Sequence, residues 1–268
     1  MPLFQLILVA LIQGITEFLP ISSSGHLILL PGLTGLDDQG QVIDVAVHIG
    51  TLAAVMIYFW SDVREGLAGL PRALTGRTDT PGSRLAMGLI IATIPTVLFG
   101  AVLHFTGLSD ALRSITVIGW TMLGFGLVLY WADQKGAEVK QAGDWGLRDA
   151  LVMGLWQMLA LIPGTSRSGI TITGARQLGY TREDGARIAM LMSIPTIIAS
   201  GVLLGTEVAL EADTALMRDA AIAAALALLS ALAALSLMMR LLRSVSFTPY
   251  VIYRVILGSI LLAIAYSS

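Results

Sequence analysis

Gln13-Gly14-Ile15-Thr16-Glu17-Phe18-Leu19-Pro20-Ile21-Ser22-Ser23-Ser24-Gly25-His26 interrupts an apolar run over 3–31. A second apolar run, 147–175, is broken by Pro163-Gly164-Thr165-Ser166-Arg167-Ser168-Gly169. Proline removes a backbone donor and glycine allows unusual dihedrals. Each run therefore reads as two half-helices meeting at a polar tip. Broken segments of this kind survive at bilayer depth only where protein or a water-filled cavity covers them.

The rest of the chain supplies the cover. Of 268 residues, 56% are hydrophobic and 13% charged, against roughly 25% charged in a soluble domain. Mean hydropathy is +0.81. Full spans are expected at about 44–60, 86–103, 114–131, 187–204, 219–239 and 249–266. Helix is the state expected for each, since an open strand in lipid leaves backbone groups unpaired. A net charge of −2 gives no reason to expect nucleic-acid binding. The absence of cysteine removes disulfides, thiolate metal sites and cysteine nucleophiles. Met1-Pro2-Leu3-Phe4 has no basic region of a cleavable signal, so the first apolar run is expected to belong to the mature fold.

Loop charge sets orientation. Arg64, Arg72, Arg77 and Arg84 fall in one loop, Lys135, Lys140 and Arg148 in another, Arg176, Arg182 and Arg187 in a third, and Arg240 and Arg243 in a fourth. The intervening loops carry Asp37, Asp38 and Asp44, then Asp110 with Arg113, then Glu207, Glu211, Asp213 and Asp219 with Arg218. The alternation puts the basic loops in the cytoplasm. It makes the first broken segment enter and leave from outside and the second from inside, each followed by three spans. The expected fold is all-α, a single membrane domain over 1–268. Six transmembrane helices and two re-entrant hairpins form inverted repeats of about 1–131 and 147–268. A shift of 144 residues pairs Leu3 with Leu147, Leu11 with Leu155, Gln13 with Gln157, Ser24 with Ser168 and Gly25 with Gly169. A shift of 145 pairs Ile49-Gly50-Thr51 with Ile194-Pro195-Thr196.

The polar tips carry the candidate chemistry. Gln13 and Glu17 share one helix face, and a carboxylate at bilayer depth marks a functional site by default. The bland role for Glu17 is a structural pair with an arginine. Ser23 and His26 are candidate nucleophiles or acid–base groups, while Ser22 suits a helix cap. Arg167, in a loop of Gly, Ser and Thr that opens a helix, suits a phosphate: backbone N–H groups and the helix dipole favour an anion, and guanidinium adds a planar fork. His48, alone on an apolar helix, reads as structural, and His104 as interfacial. Tyr, Trp and Arg near other span ends read as membrane-interface anchors. The three histidines, His26, His48 and His104, are too scattered for a zinc motif. Glycines over Gly119–Gly126 would permit close helix packing, within the chain or between two copies in a homodimer.

The stretches Gly14 to Leu27 and Pro163 to Gly169 resemble the two signature motifs of the undecaprenyl-diphosphate phosphatase family, associated with bacitracin resistance. The similarity in length and hydropathy runs over essentially the whole chain. The family's first motif has Glu or Gln four residues before Glu. Here it is Gln13 and Glu17, leaving one carboxylate. The resemblance implies a bacterial inner-membrane enzyme that hydrolyses undecaprenyl diphosphate to the monophosphate and phosphate. It would thereby recycle the lipid carrier of cell-wall synthesis, with a site facing the periplasm and a divalent cation, magnesium or calcium. In that setting Arg167 with Ser166, Ser168 and Thr171 would hold phosphate oxygens, and Ser24, Gly164 and Thr165 would complete the binding turns. Glu17, with Gln13, would bind the cation or act as base. Ser23 is the preferred nucleophile, His26 the second choice, and a metal-bound water the third. The competing class is a lipid-phosphate flippase or transporter, which would use the same inverted-repeat cavity.

Overall fold

The computed structural model describes residues 1–108, 112–208 and 214–267, apart from the side chains of Leu33 and 203–208. Asp110, Glu211 and Asp213, counted above among the outer-loop charges, lie outside the described residues, as does the side chain of Glu207.

Every regular element among the described residues is a helix, apart from one isolated bridge between Lys140 and Tyr180. The first helices are α1 (Leu3–Thr16), α2 (Ser23–Thr34), α3 (Gly40–Tyr58), α4 (Trp60–Leu74), α5 (Pro81–Thr106) and α6 (Ile115–Lys135). They are followed by α7 (Leu147–Met158), α8 (Arg167–Gln177), α9 (Arg182–Val208), α10 (Thr214–Leu241) and α11 (Thr248–Ser267). Six of these, α3, α5, α6, α9, α10 and α11, are long and apolar enough to cross a membrane. They coincide with the six spans expected from hydropathy. The chain is a multi-pass membrane protein. On α11, Ile252, Ile256, Ile260 and Ile264 recur every four residues and are all exposed, an outward stripe suited to lipid tails.

The segment 61–84, expected as a loop, contains α4. Val63, Gly66, Gly69 and Ala73 are buried on one face of it. Arg64, Glu65 and Arg72 are exposed, while Asp62 pairs with Arg187 of α9, an amphipathic pattern that a search for uniformly apolar spans passes over.

Both broken runs end their first helix before a proline and restart at a serine cap. Ser22 Oγ accepts from Gly25 N–H at 3.3 Å, and Ser166 Oγ accepts from Gly169 N–H at 3.2 Å. These side chains satisfy backbone donors that a helix start leaves open. Packing between the two halves is reciprocal. Helix α1 packs on α10 and α7 on α5; α3 packs on α10 and α9 on α5; α3 meets α9, and α6 meets α11. Close approach demands glycine at several of these contacts, among them α1 on α10 and α7 on α5. A Cβ on Gly14 would stand 2.7 Å from Ala227 O, and one on Gly154 would stand 2.5 Å from Ala92 O.

Phe18, fully buried between Glu17 and Leu19, sits in the largest apolar cluster with Ala54, Leu129, Ile172, Met190 and Leu235. Glu17 is thereby carried by a turn anchored in the core. At the far end of α8, buried Asp133 on α6 receives Arg176 Nε at 3.2 Å, Arg182 Nε at 2.8 Å and Phe247 N–H at 3.2 Å. This clasp joins α6 to α8, α9 and the start of α11.

Candidate active site

The two tips meet. Arg167 Nη2, on the first residue of α8, donates to Glu17 Oε1 at 2.6 Å. Ser168 Oγ donates to Leu19 O at 2.9 Å. Glu17 Oε2 receives Gln13 Nε2 at 2.9 Å and Ser23 Oγ at 2.6 Å. Gln13 reaches it because four residues make about one helical turn. A single carboxylate, 7% exposed, therefore gathers a guanidinium, an amide and a hydroxyl. Arg167 Nη1 is buried with no hydrogen-bond partner among the described residues, and so is Thr165 Oγ1. An unsatisfied buried guanidinium N–H is costly, and an anion is its natural complement.

Beside this cluster lies a cavity of about 490 Å³. Glu17, Ser23, Ser166 and Arg167 line it, and α3 contributes Asp44 and His48. Ser22 and Ser24 also face it. The remaining residues expected at the site are near but differently employed. Gly164 lies at φ 84°, where a Cβ would come within 2.7 Å of Ile118 O. Only glycine fits a left-handed turn pressed against α6. Ser168 Oγ is spent on Leu19 O, and Thr171 Oγ1 donates to Arg167 O at 2.7 Å within its own helix. The Ser168 hydroxyl ties the two turns together, the Thr171 hydroxyl bonds only within its helix, and neither lines the cavity.

His26 faces elsewhere. A carbonyl only accepts, so the 2.7 Å contact of His26 Nδ1 with Ser22 O makes Nδ1 the N–H. Nε2 then accepts the Tyr253 O–H at 2.6 Å. Both ring nitrogens are engaged.

Nothing in the residue pattern singled out Arg254 or Tyr253, placed by position among the interfacial residues of the last span. Arg254 is fully buried. Its Nη1 donates to Pro20 O at 3.3 Å, its Nη2 to Thr121 O and Gly164 O at 3.2 Å each, and its Nε to Met122 O at 3.0 Å. One guanidinium thus ties the first turn, the second turn and α6 together. Gly126 and Gly169 make room for it: a Cβ on Gly169 would stand 2.9 Å from Arg254 Nη1. The available signal was the cost of an arginine inside an apolar span.

Comparison with known proteins points to one family. The chain is 80% identical over 267 residues to a protein of Ruegeria pomeroyi named undecaprenyl-diphosphatase, covering all of both chains. It is 72% identical over 267 residues to one of Jannaschia with the same name, again covering both completely. It is 47% identical to undecaprenyl-diphosphatase 1 of Rhodospirillum rubrum, over 99% of this chain and 96% of that one. The model of the bacitracin resistance protein BacA family matches residues 6–260, and the chain belongs to that family.

Proposed function

We propose that this chain hydrolyses undecaprenyl diphosphate to undecaprenyl phosphate and phosphate, as the names of its relatives state for them. The observation that carries the reading is the convergence of Ser23, Arg167 and Gln13 on Glu17 beside a cavity flanked by apolar helices. The polyprenyl tail stays among the helices and lipid while the diphosphate head enters the cavity. Its terminal phosphate takes the unpartnered Nη1 of Arg167 and the helix starts at Ser23 and Arg167, where dipoles favour an anion. Phosphoryl transfer needs such positioning and charge neutralisation above all.

Ser23 is the nucleophile in this reading. Its Oγ bonds to the terminal phosphorus, its proton passes to Glu17 Oε2, and the bond to the bridging oxygen breaks to release lipid monophosphate. The turn of Arg167 toward phosphate frees Glu17 to take that proton. His26, held by Ser22 O and Tyr253, positions the serine turn instead of attacking. Water then cleaves the phosphoserine.

The magnesium or calcium ion expected from the resemblance finds a poor set of ligands. No group of three or more His, Cys, Asp or Glu suited to a metal occurs among the described residues. The two oxygens of Glu17 already take three donors. Calcium needs six to eight oxygens, and magnesium an octahedral set. The protein side chains do not build a cation site alone; a magnesium ion would need waters and substrate phosphate oxygens beside the Glu17 carboxylate.

The two broken runs act as re-entrant hairpins of an inverted repeat, 1–131 and 147–268, within one membrane domain. Reciprocal packing of α1 on α10 and α7 on α5 supports this. With basic loops in the cytoplasm, the cavity opens toward the periplasm of the inner membrane, where cell-wall synthesis releases the diphosphate. The same two-fold arrangement favours lipid translocation as a second reading. Phosphate release by purified protein in detergent, where no compartments exist, decides between them. Wild type releases phosphate from undecaprenyl diphosphate and Arg167→Ala does not; a wild type with no release leaves transport.

A further inference from the structure

In this reading the lipid monophosphate leaves as the anion and Glu17 keeps the proton taken from Ser23. A carboxyl group in that state does not also activate the water that cleaves the phosphoserine, and a second base in the same cavity would do so. Among the three histidines, His26 has both ring nitrogens engaged, and His104 lies exposed at the last turn of α5. His48 lines the cavity with Glu17, Ser23 and Arg167. Its Nδ1 meets Asp44 O at 2.7 Å. The carbonyl can only accept, so Nδ1 carries the hydrogen and Nε2 carries a lone pair. Nε2 has no partner among the described residues.

We infer that His48 is a further catalytic residue, the general base of the second half-reaction, on the reading that Ser23 becomes phosphorylated. Water oxygen bonds to the phosphoserine phosphorus while His48 Nε2 takes the water proton. The bond from phosphorus to Ser23 Oγ breaks, and that oxygen recovers the proton held on Glu17. Phosphate leaves, and the proton on His48 passes out to solvent through the cavity. The resting carboxylate, hydroxyl and imidazole are restored. The hydrogen bond to Asp44 O stabilises the imidazolium formed on the way, since charge-assisted bonds to a carbonyl are strong.

The test uses the full chain in detergent and undecaprenyl diphosphate labelled on its terminal phosphate. Wild type passes the label to free phosphate. His48→Ala is expected to release about one lipid monophosphate per chain, to keep the label on Ser23, and to turn over about 100-fold more slowly, a general-base loss. Added imidazole is expected to restore turnover and discharge the label. His48→Gln supplies the same readouts if the alanine variant does not fold. Turnover at the wild-type rate overturns the inference. So does slow turnover with no protein-bound label and no response to imidazole. If wild type itself releases no phosphate, the phosphatase reading fails first. If wild type is active and Ser23→Ala is equally active, the serine step fails and the role of His48 fails with it.

Discussion

Ser22 and Ser166 hold the same backbone, φ 72° and ψ 92° in one, φ 69° and ψ 113° in the other. Each caps a helix through the N–H of a glycine three residues on. They are 144 residues apart, the offset that also pairs Gln13 with Gln157. The residues that follow, Ser23 and Arg167, both reach Glu17. One turn, made twice, thus aims a hydroxyl and a guanidinium at a single carboxylate.

That backbone is strained for a residue with a Cβ, by about 1–3 kcal/mol. Glycine at either position removes the strain and loses only a few tenths of a kcal/mol of capping, whereas alanine keeps the strain and loses about 1 kcal/mol. Ser166→Gly is therefore expected to unfold at or above the wild-type temperature in detergent, and Ser166→Ala below it. Both should lose activity, because Ser166 lines the cavity. Thermal melts and phosphate release measured together check the pair.

Arg167→Ala removes the ionic partner of a buried carboxylate. The expected loss in turnover is about 10²–10³-fold, the range for deleting a donor that stabilises transition-state charge. The loss in stability is expected at about 3–5 kcal/mol, because Glu17 remains buried and charged. Combining it with Glu17→Gln should recover much of that stability and none of the activity. A double variant as unstable as the sum of the singles would show that the two side chains do not act as a pair.

The six spans were legible because hydropathy and length suffice for a lipid-facing helix, and the two tips because Pro, Gly and Ser interrupt apolar runs. Glu17 and Arg167 stood out by the cost of charge at bilayer depth. Their meeting, 150 residues apart in sequence, is the work of tertiary packing. Arg254 was hidden because an arginine near a span end looks like an interfacial anchor; its four carbonyl acceptors come from three distant segments. His48 looked like a packed core residue, since nothing local shows that α3 borders the cavity.

Tyr253 and His26, 227 residues apart, share a 2.6 Å hydrogen bond. If His26 only positions the serine turn, Tyr253→Phe and His26→Gln should each slow turnover several-fold, about what losing one hydrogen bond of ~1 kcal/mol does. The double variant should be no slower than either single. A nucleophilic His26 predicts otherwise: His26→Gln would abolish turnover and Tyr253→Phe would not. Steady-state rates of the three variants separate the cases.

Asp133 offers a contrast between stability and catalysis. It is 1% exposed and takes donors from Arg176, Arg182 and Phe247. Asp133→Ala would leave Arg176, itself 1% exposed, with the half-exposed carboxylate of Glu138 as its ionic partner, beside the carbonyls of Tyr180 and residue 133. Breaking a buried pair from one side costs about 3–5 kcal/mol. Glu138→Ala should cost far less, about 1 kcal/mol or under, since its carboxylate is largely in water. Arg176 sits at the opposite end of α8 from Arg167, about 13 Å along the axis at 1.5 Å per residue. The clasp therefore secures the base of the helix whose tip carries the guanidinium. Asp133→Ala is expected to lower the unfolding temperature sharply while turnover, measured well below that temperature, stays within a few-fold of wild type. Loss of turnover in protein still fully folded would instead tie the clasp to the placement of Arg167.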